Sequence, residues 1–101
     1  MSDNELYYKF HLFIAKNDFA SEQARNNFQQ LCKDHLPEKN YEVKITDIQE
    51  DFAAILKNGV LITPTLKAVI IPKGQPPMKP VTIIGTLTNT DRVLAALLIN
   101  E

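Results

Sequence analysis

The sequence predicts an α/β fold in which a mixed four-stranded sheet packs against three helices, in the order β-α-β-α-β-β-α. The first reason is periodicity, because apolar side chains alternate with polar ones in some segments and recur at helical spacing in others. The second reason is connection length. A strand–helix–strand unit joins parallel strands through a right-handed crossover, whereas a link too short for a helix joins antiparallel strands. Both kinds of link are present, so the sheet should be mixed.

The four predicted strands differ in their expected exposure. Leu6 to Ala15 alternates, but Phe13 lies on its second face, so we expect cover on both sides. Tyr41 to Thr46 has one polar face, which is typical of a half-exposed strand at a sheet edge. Leu66 to Ile71 and Val81 to Ile84 are the remaining strands. Four prolines in the nine residues between them predict a loop, since proline removes a donor from a sheet.

The three predicted helices each have a capping signal and an apolar stripe. Ser21 is the predicted cap of the first helix, which runs to about His35. Asp47 with Glu50 begins the second helix, and Asn58-Gly59 ends it. Thr88 with Asp91 begins the third helix. The side chains expected to be buried are Ala24, Phe28, Leu31, Cys32 and His35, then Ile48, Phe52, Ile55 and Leu56, then Val93, Leu94, Leu97 and Leu98. This order of elements is the thioredoxin-like architecture.

Composition indicates one globular domain over residues 1–101. The chain is 45% hydrophobic and 23% charged, with a formal net charge of −1, so it lacks the electrostatic footprint of a nucleic-acid-binding protein. No apolar run approaches the ~20 residues that span a bilayer, so no membrane partner is expected. A polar N-terminus and one cysteine give no sign of a secretory signal or a disulfide. The sequence therefore predicts a cytoplasmic protein.

No catalytic constellation is visible, which predicts a non-enzymatic protein without a cofactor. A thioredoxin-like redox enzyme needs a thiolate at the start of its first helix, where the helix dipole lowers the thiol pKa. That position, Asn17 to Ser21, has no cysteine. We interpret Cys32 as a buried hydrophobe, with a redox or sensing thiol as the alternative. Cys32 and His35 supply two of the four ligands of a structural zinc site, so no metal site is predicted. The scattered lysines are interpreted as a solvated surface.

Four segments resemble the KaiB family in order and spacing. They are Lys9 to Asn17 (KFHLFIAKN), Val43 to Ile48 (VKITDI), Leu61 to Leu66 (LITPTL) and Ile83 to Asn89 (IIGTLTN). The resemblance covers roughly residues 7 to 99. It implies a small adaptor that binds the ring-shaped ATPase KaiC or, in related systems, a sensory histidine kinase. The family is metamorphic: a thioredoxin-like form binds KaiC, and a ground-state fold, usually tetrameric, has a repacked C-terminal half.

The resemblance also implies roles for individual residues. Lys16 and Asn17 in the first turn, and Glu42 and Lys44 on the edge strand, are the expected partner-binding residues. An open edge strand can pair with a partner strand or a second copy, although its charged side chains could equally block such pairing. The segment around Pro64 is similar to the loop that carries a cis-proline in thioredoxin-like proteins, so Pro64 is expected to be cis.

Departures from the family bear on which form this chain adopts. Thr86 follows Gly85, where the family usually has an acidic residue. Ala96 stands where the family often has glycine, and Leu98 where it often has an acid. Glycine costs about 1 kcal/mol relative to alanine inside a helix, and alanine is a poor strand former. We therefore predict the thioredoxin-like form rather than the KaiB ground-state fold.

Two functions remain open at this point. The first is a KaiB-like adaptor in clock-like or stress-adaptation signalling, which binds a KaiC-like ATPase or a related kinase and acts as a monomer or homo-oligomer. The alternative is a thioredoxin-like, oxidoreductase-related protein of the redox or oxidative-stress response, which uses Cys32 or small thiols.

Overall fold

The computed structural model describes residues 5–60 and 62–99 and has the predicted order of elements. The strands are β1 (Leu6–Ile14), β2 (Tyr41–Asp47), β3 (Thr65–Pro72) and β4 (Val81–Ile84), and the helices are α1 (Phe19–His35), α2 (Phe52–Lys57) and α3 (Thr90–Ala96), with a short 3-10 helix at Glu38–Asn40. Met1 to Asn4, for which no secretory signal was predicted, lie outside the described residues, as does Leu61 of the third family-like segment. No helix among the described residues is long and apolar enough to cross a membrane.

The sheet is mixed, as predicted. Its strand order is β2-β1-β3-β4, with β1 and β2 parallel and the other two pairs antiparallel. Helix α1 is the crossover that joins the parallel pair. The prediction that β2 forms an edge is confirmed, and β4 forms the other edge.

One face of the sheet carries the main hydrophobic core. Helices α1 and α3 cover this face, and Phe10 lies in the aromatic part of the core. Its ring stacks on Tyr8 at a centroid distance of 5.4 Å and meets the edge of Phe28 at 4.8 Å. The buried Tyr8 hydroxyl donates a 2.8 Å hydrogen bond to the carbonyl oxygen of Leu97, just after α3. Strand β1 and the end of α3 are therefore joined by a polar contact inside an apolar layer.

The opposite face has much less cover. Here α2 buries a small cluster of Phe13, Ile55 and Val60 at one end of the sheet. The predicted burial of Phe52 and Leu56 is wrong, because these side chains are 63% and 68% exposed. Helix α2 has only six residues, so its inner side contributes Ile55 alone. Three further members of the predicted stripes also fail to be buried: His35 and Ile48 are half-buried and Leu98 is exposed.

The predicted helix starts need correction. The residues that cap the three helices are Asp18, Asp51 and Asn89, whose side chains accept hydrogen bonds from the backbone N–H of the residue three positions later. Ser21 instead lies in the first turn of α1, where its hydroxyl oxygen accepts from the N–H of Ala15 at 2.9 Å. These three residues cap the helices, rather than the nearby Ser21, Asp47 and Thr88, because the side-chain oxygen of each reaches a free backbone N–H three residues later.

Helices α2 and α3 end in the same hydrogen-bond pattern. In α2, Val60 N–H bonds to Ile55 O and Gly59 N–H to Leu56 O; in α3, Ile99 N–H bonds to Leu94 O and Leu98 N–H to Ala95 O. The residue after the cap has a positive φ in both, +67° at Gly59 and +60° at Leu98. This is the Schellman motif. The predicted stop at Asn58-Gly59 is confirmed, and α3 has a leucine where α2 has glycine.

Candidate interaction surface

The start of α1 carries no thiol, and the cysteine lies elsewhere in the fold. Cys32 is buried in the main core beside Phe28 and Leu31 on the inner side of α1. Burial raises the pKa of the Cys32 thiol to about 12. Since the thiolate is the reactive form, a thiol with this pKa is almost entirely protonated, and so poorly nucleophilic, at neutral pH. Its environment is that of a small core side chain.

Residues 5–60 and 62–99 contain no cluster of side chains that could form a metal site. No three side chains of the histidine, cysteine, aspartate or glutamate type come close enough there to hold a metal ion. Cys32 is buried, and His35 lies half-buried in the last turn of α1.

The residues with predicted structural roles occupy the end of the sheet where β3 begins and β4 ends. The Thr63-Pro64 peptide bond is cis, as expected. Gly85 has a φ of +115° and donates its N–H to the carbonyl oxygen of Pro64 at 3.0 Å. The loop before β3 is thus tied to the residue after β4. Ala96 is the last residue of α3, so the segment in which it lies is helical.

The open face of the sheet carries a row of basic side chains. In the strand register, His11 of β1 lies opposite Lys44 of β2 on one side and Lys67 of β3 on the other. Lys9 lies in the next row, opposite Glu42. Adjacent strands are about 4.8 Å apart, so Lys44 and Lys67 are held about 10 Å apart across His11. Strand pairing alone therefore gathers residues that are far apart in the sequence.

These side chains line a shallow groove of about 460 Å³. Its wall includes four lysines from four different elements: Lys9, Lys44, Lys57 and Lys67. The one carboxylate in the wall belongs to Glu42, which accepts a 3.0 Å hydrogen bond from the Tyr7 hydroxyl. The groove is strongly positive although the whole chain has a net charge of −1. We call these residues the basic groove.

His11 lies at the centre of the basic groove. Its ring stacks on Phe13 at a centroid distance of 3.9 Å, and its Nε2 is 2.7 Å from the hydroxyl oxygen of Thr46. Burial lowers the pKa of His11, the charge of Lys44 lowers it further, and Asp51 acts in the opposite direction. His11 is therefore neutral at neutral pH and adds no fifth positive charge to the groove.

The expected partner-binding residues fall on two separate surfaces. Glu42 and Lys44 lie in the basic groove, whereas Lys16 and Asn17 line a groove of about 480 Å³ between the end of β2 and the start of α1. Lys16 lies beyond the end of β1, in the turn that leads to α1. Both surfaces include residues of β1 and β2, but they have no lining residue in common.

Strand β2 has one free edge, as predicted, and it is partly apolar. Val43 and Ile45 are 40% and 36% exposed on the side that faces away from the basic groove. Lys44 and Glu42 project from the other side of the same strand. The edge thus offers backbone donors and acceptors between one apolar and one charged row of side chains.

A family model of the KaiB domain matches residues 11–99. This chain belongs to the KaiB family. The match includes the second half of β1 from His11 onward and all of the other strands and helices, and so all of the basic groove except its Lys9 and Phe10. The KaiB family is non-enzymatic, and this member has a single cysteine. A comparison with curated proteins finds no match.

Several solved structures similar to this KaiB-family chain are thioredoxins. A chloroplastic thioredoxin z is 17% identical, with a TM-score of 0.64, and the match covers 89% of this chain and 75% of that one. A Plasmodium falciparum thioredoxin is 12% identical (TM-score 0.69, 96% and 72% covered). Mitochondrial thioredoxin 3 from Saccharomyces cerevisiae is 16% identical (TM-score 0.64, 96% and 80% covered). At these identities the likeness shows the fold alone, and it confirms the predicted thioredoxin-like class.

The prediction that the lysines form a scattered, solvated surface did not identify the basic groove. Alternation within β1 and β2 already places Lys9, His11 and Lys44 opposite the core side chains. Their convergence with Lys67 depends on the register between strands, and that of Lys57 depends on where α2 lies. Neither quantity can be obtained from spacing along the chain.

Proposed function

We propose that this chain is a non-enzymatic adaptor that docks onto a KaiC-like ATPase, or onto a related signalling partner such as a sensory histidine kinase, in clock-like or stress-adaptation signalling. Family membership supports this proposal, because the KaiB family typically interacts with KaiC. Such a partner implies action in the cytoplasm. The basic groove is the single feature that carries the proposal at the level of residues.

The groove suits recognition of an acidic surface on the partner. Four ammonium groups around one depression give a local field that steers an oppositely charged surface into register. A flat sheet floor between long lysine side chains accepts a broad protein surface better than a small substrate. The exposed Val43 and Ile45 lie on the opposite face of β2, so a partner that reaches around this edge gains apolar contact area there. We place Lys16 and Asn17 at the margin of the same contact, beyond the end of β2.

Binding of this kind changes the partner without chemistry by the adaptor. An adaptor that binds one state of an ATPase more tightly than another shifts the equilibrium toward the favoured state. The shift equals the ratio of the two affinities, so a tenfold preference corresponds to about 1.4 kcal/mol. No nucleophile, metal or cofactor is needed for this role.

The test is binding of the purified chain to the KaiC-like ATPase of the same organism. Lys44→Glu and Lys67→Glu should each weaken binding about tenfold, because each places a negative charge in the row around His11. The matched control is Lys79→Glu, an exposed lysine in the proline-rich loop, which should leave the Kd within about twofold. Higher salt should weaken binding of the wild type more than that of Lys44→Glu.

Two results would contradict the proposal. One is the absence of binding to any KaiC-like ATPase or related kinase of that organism. The other is equal binding by wild type, Lys44→Glu and Lys67→Glu. Lys16→Glu separates the two surfaces: loss of affinity includes the β1–α1 turn in the contact, and unchanged affinity limits the contact to the basic groove.

The proposal includes the metamorphic behaviour of the family. In the present form, Ala96 ends α3 and the Tyr8 hydroxyl holds the carbonyl of Leu97. Both features favour a helical C-terminal segment, and we propose that this form dominates in solution and is the one that binds the partner. Chemical shifts of residues 90–96 that indicate helix support this, and extended shifts there would contradict it.

The redox alternative has less physical support. The thioredoxin likeness is one of fold, and Cys32 is buried with its pKa raised to about 12. Insulin reduction above background that is lost in Cys32→Ser would favour the alternative over the adaptor.

A further inference from the structure

The lysines of the basic groove have no acidic partner among the residues that the structure describes. The one salt bridge within this part of the chain joins Lys73 to Glu5, outside the groove. Glu42, the carboxylate in the groove wall, accepts a hydrogen bond from the Tyr7 hydroxyl instead. Four ammonium groups therefore share a concave surface without an ion pair to any described carboxylate. Such a surface attracts mobile anions.

The spacing of the lysines matches a chain of linked phosphates. Lys44 and Lys67 lie on the strands at either side of His11, about 10 Å apart. A phosphate that accepts a hydrogen bond of about 2.8 Å from an ammonium group on each side spans about 8 Å between the two nitrogens, so it fits between these lysines. Lys9 lies on the same face, about 7 Å from His11 along β1. Further phosphates linked to the first can reach Lys9.

The positive surface also continues from the groove toward α2. A second depression, of about 420 Å³, adjoins the groove and contains one carboxylate, that of Asp51. This carboxylate accepts a hydrogen bond from the N–H of Ala54 at 3.0 Å, so it is occupied in capping α2. The residues that line both depressions are His11, Lys44, Lys57 and Asn58. Together the two depressions offer more room than a single phosphate fills.

Nucleic acid fits this surface less well than a short phosphate chain. Proteins hold single strands largely by stacking bases on aromatic rings. The aromatic residues in the groove wall are Phe10 and His11, and both rings are already engaged: Phe10 stacks on Tyr8 in the core, and His11 stacks on Phe13. The groove therefore offers cations without a platform for bases.

We propose that the basic groove is a binding site for oligophosphate anions, which are chains of several linked phosphates, either inorganic or carried by a nucleoside. Lys44 and Lys67 hold one phosphate across His11. Lys9 and Lys57 hold its neighbours along the groove. This site shares its lysines with the proposed docking surface, so an oligophosphate and an acidic partner surface would compete for them. The site itself needs no partner, because this chain alone supplies all four lysines.

The experiment is isothermal titration calorimetry of the purified full chain with sodium tripolyphosphate as the probe, at low ionic strength. The wild type should bind with a Kd in the micromolar range. Lys44→Gln and Lys67→Gln should each weaken binding about tenfold, because each removes a charge-assisted contact. Lys44→Arg should retain the affinity, since it keeps the positive charge. Lys33→Gln is the matched control: this exposed lysine lies in the last turn of α1, on the other layer, so the Kd should stay within about twofold.

Glu42→Gln is a variant that should gain affinity. Glutamine keeps an acceptor for the Tyr7 hydroxyl but removes the negative charge from the groove wall. Tripolyphosphate should therefore bind several-fold more tightly. A gain of this kind cannot result from loss of folding, so it complements the variants that lose affinity.

ATP without magnesium, as a second probe, distinguishes the two sources of the phosphate chain. Val69 lies opposite Lys9 in the strand register, and together with Pro80 it forms a small apolar end of the groove. Tighter binding of ATP than of tripolyphosphate supports a nucleotide ligand whose base contacts this end. Equal or weaker binding of ATP supports an inorganic chain.

Four results would overturn the proposal. They are no binding of tripolyphosphate by the wild type, equal binding by wild type, Lys44→Gln and Lys67→Gln, equally tight binding of citrate, which is a multivalent anion without phosphate, and tighter binding of a single-stranded oligonucleotide than of tripolyphosphate. The titration contains no ATPase. Its failure would therefore leave the docking proposal to its own test, and failure of docking would leave the titration unchanged.

Discussion

The free energy of unfolding depends on pH through His11, because its ring is partly buried in a basic environment. The ring is confined by Phe13 and Thr46, and it faces Lys44 and Lys67 on the neighbouring strands and Asp51 and Lys57 from α2. Protonation adds a charge where burial and the lysines disfavour it. The pKa of His11 is therefore lower in the folded chain than in the unfolded chain.

This lowered pKa predicts the sign of a stability change with pH. Below the unfolded value of about 6.5, the unfolded chain binds a proton that the folded chain resists, so the free energy of unfolding falls as pH falls from about 6.5 through the folded pKa. Urea unfolding at several pH values between 5 and 7.5 measures the slope. His11→Gln, which keeps a hydrogen-bonding group near Thr46, should have a flatter slope in this window. Equal slopes for the two proteins would contradict the assignment.

At the residue scale, alternation identified the correct face for each side chain in β1 and β2. Phe10 and Leu12 are buried in the core, while Lys9 and His11 face the other way. Alternation could not predict which residues of different strands lie close together. Lys67 lies more than fifty positions beyond His11 in the sequence, and only the antiparallel pairing of β1 and β3 places the two side by side.

The ends of α2 and α3 form a natural comparison at the scale of elements. Both use the Schellman hydrogen bonds, but the left-handed position is Gly59 in one and Leu98 in the other. A residue with a Cβ pays about 1–2 kcal/mol in this conformation, whereas glycine does not. Helix α3 therefore ends in a strained residue.

Leu98→Gly should stabilise the protein by about 0.5–1 kcal/mol, because relief of backbone strain exceeds the extra chain entropy of glycine in the unfolded state. Gly59→Ala is the reverse experiment and should destabilise by about 1 kcal/mol. A Cβ at Gly59 meets no atom within 4 Å, so the effect there comes from the backbone alone. Thermal or urea unfolding measures both changes. A destabilised Leu98→Gly would show that the leucine side chain matters more than its conformation.

Sequence patterns located the three α-helices of the described residues, but they missed the 3-10 helix at Glu38–Asn40 and were less successful at helix boundaries and buried sides. Gly59 signalled the end of α2, whereas Leu98 gave no such signal, because leucine is rare at a left-handed cap. The spacing of Phe52, Ile55 and Leu56 described a helical stripe correctly. It could not reveal that α2 is too short for its whole stripe to find a partner within the chain.

For the whole molecule, the two layers on either side of the sheet differ in thickness. Helices α1 and α3 bury an extended core on one face, whereas on the other face the buried cluster under α2 consists, among the described residues, of Phe13, Ile55 and Val60. The order of elements and the connection rules were enough to predict this architecture, since a strand–helix–strand unit followed by a short link leaves few topologies. The unequal cover was not predictable, because it depends on where α2 settles on the sheet.

Because α2 covers its face of the sheet less than α1 and α3 cover theirs, we predict that α2 has the lower local stability. Amide hydrogens of α2 should exchange with solvent much faster than those of β1 and β3, since opening α2 exposes few buried side chains. Hydrogen exchange followed by mass spectrometry or NMR measures the difference. Equal protection of α2 and β1 would contradict the prediction.

The hydrogen bond from Tyr8 to Leu97 has a consequence for biosynthesis. The ribosome synthesises the donor first, and the acceptor follows 89 residues later. Through that interval the apolar side of the central strand lacks the cover of α3. The core around Tyr8 therefore cannot close during synthesis until the ribosome has added Leu97.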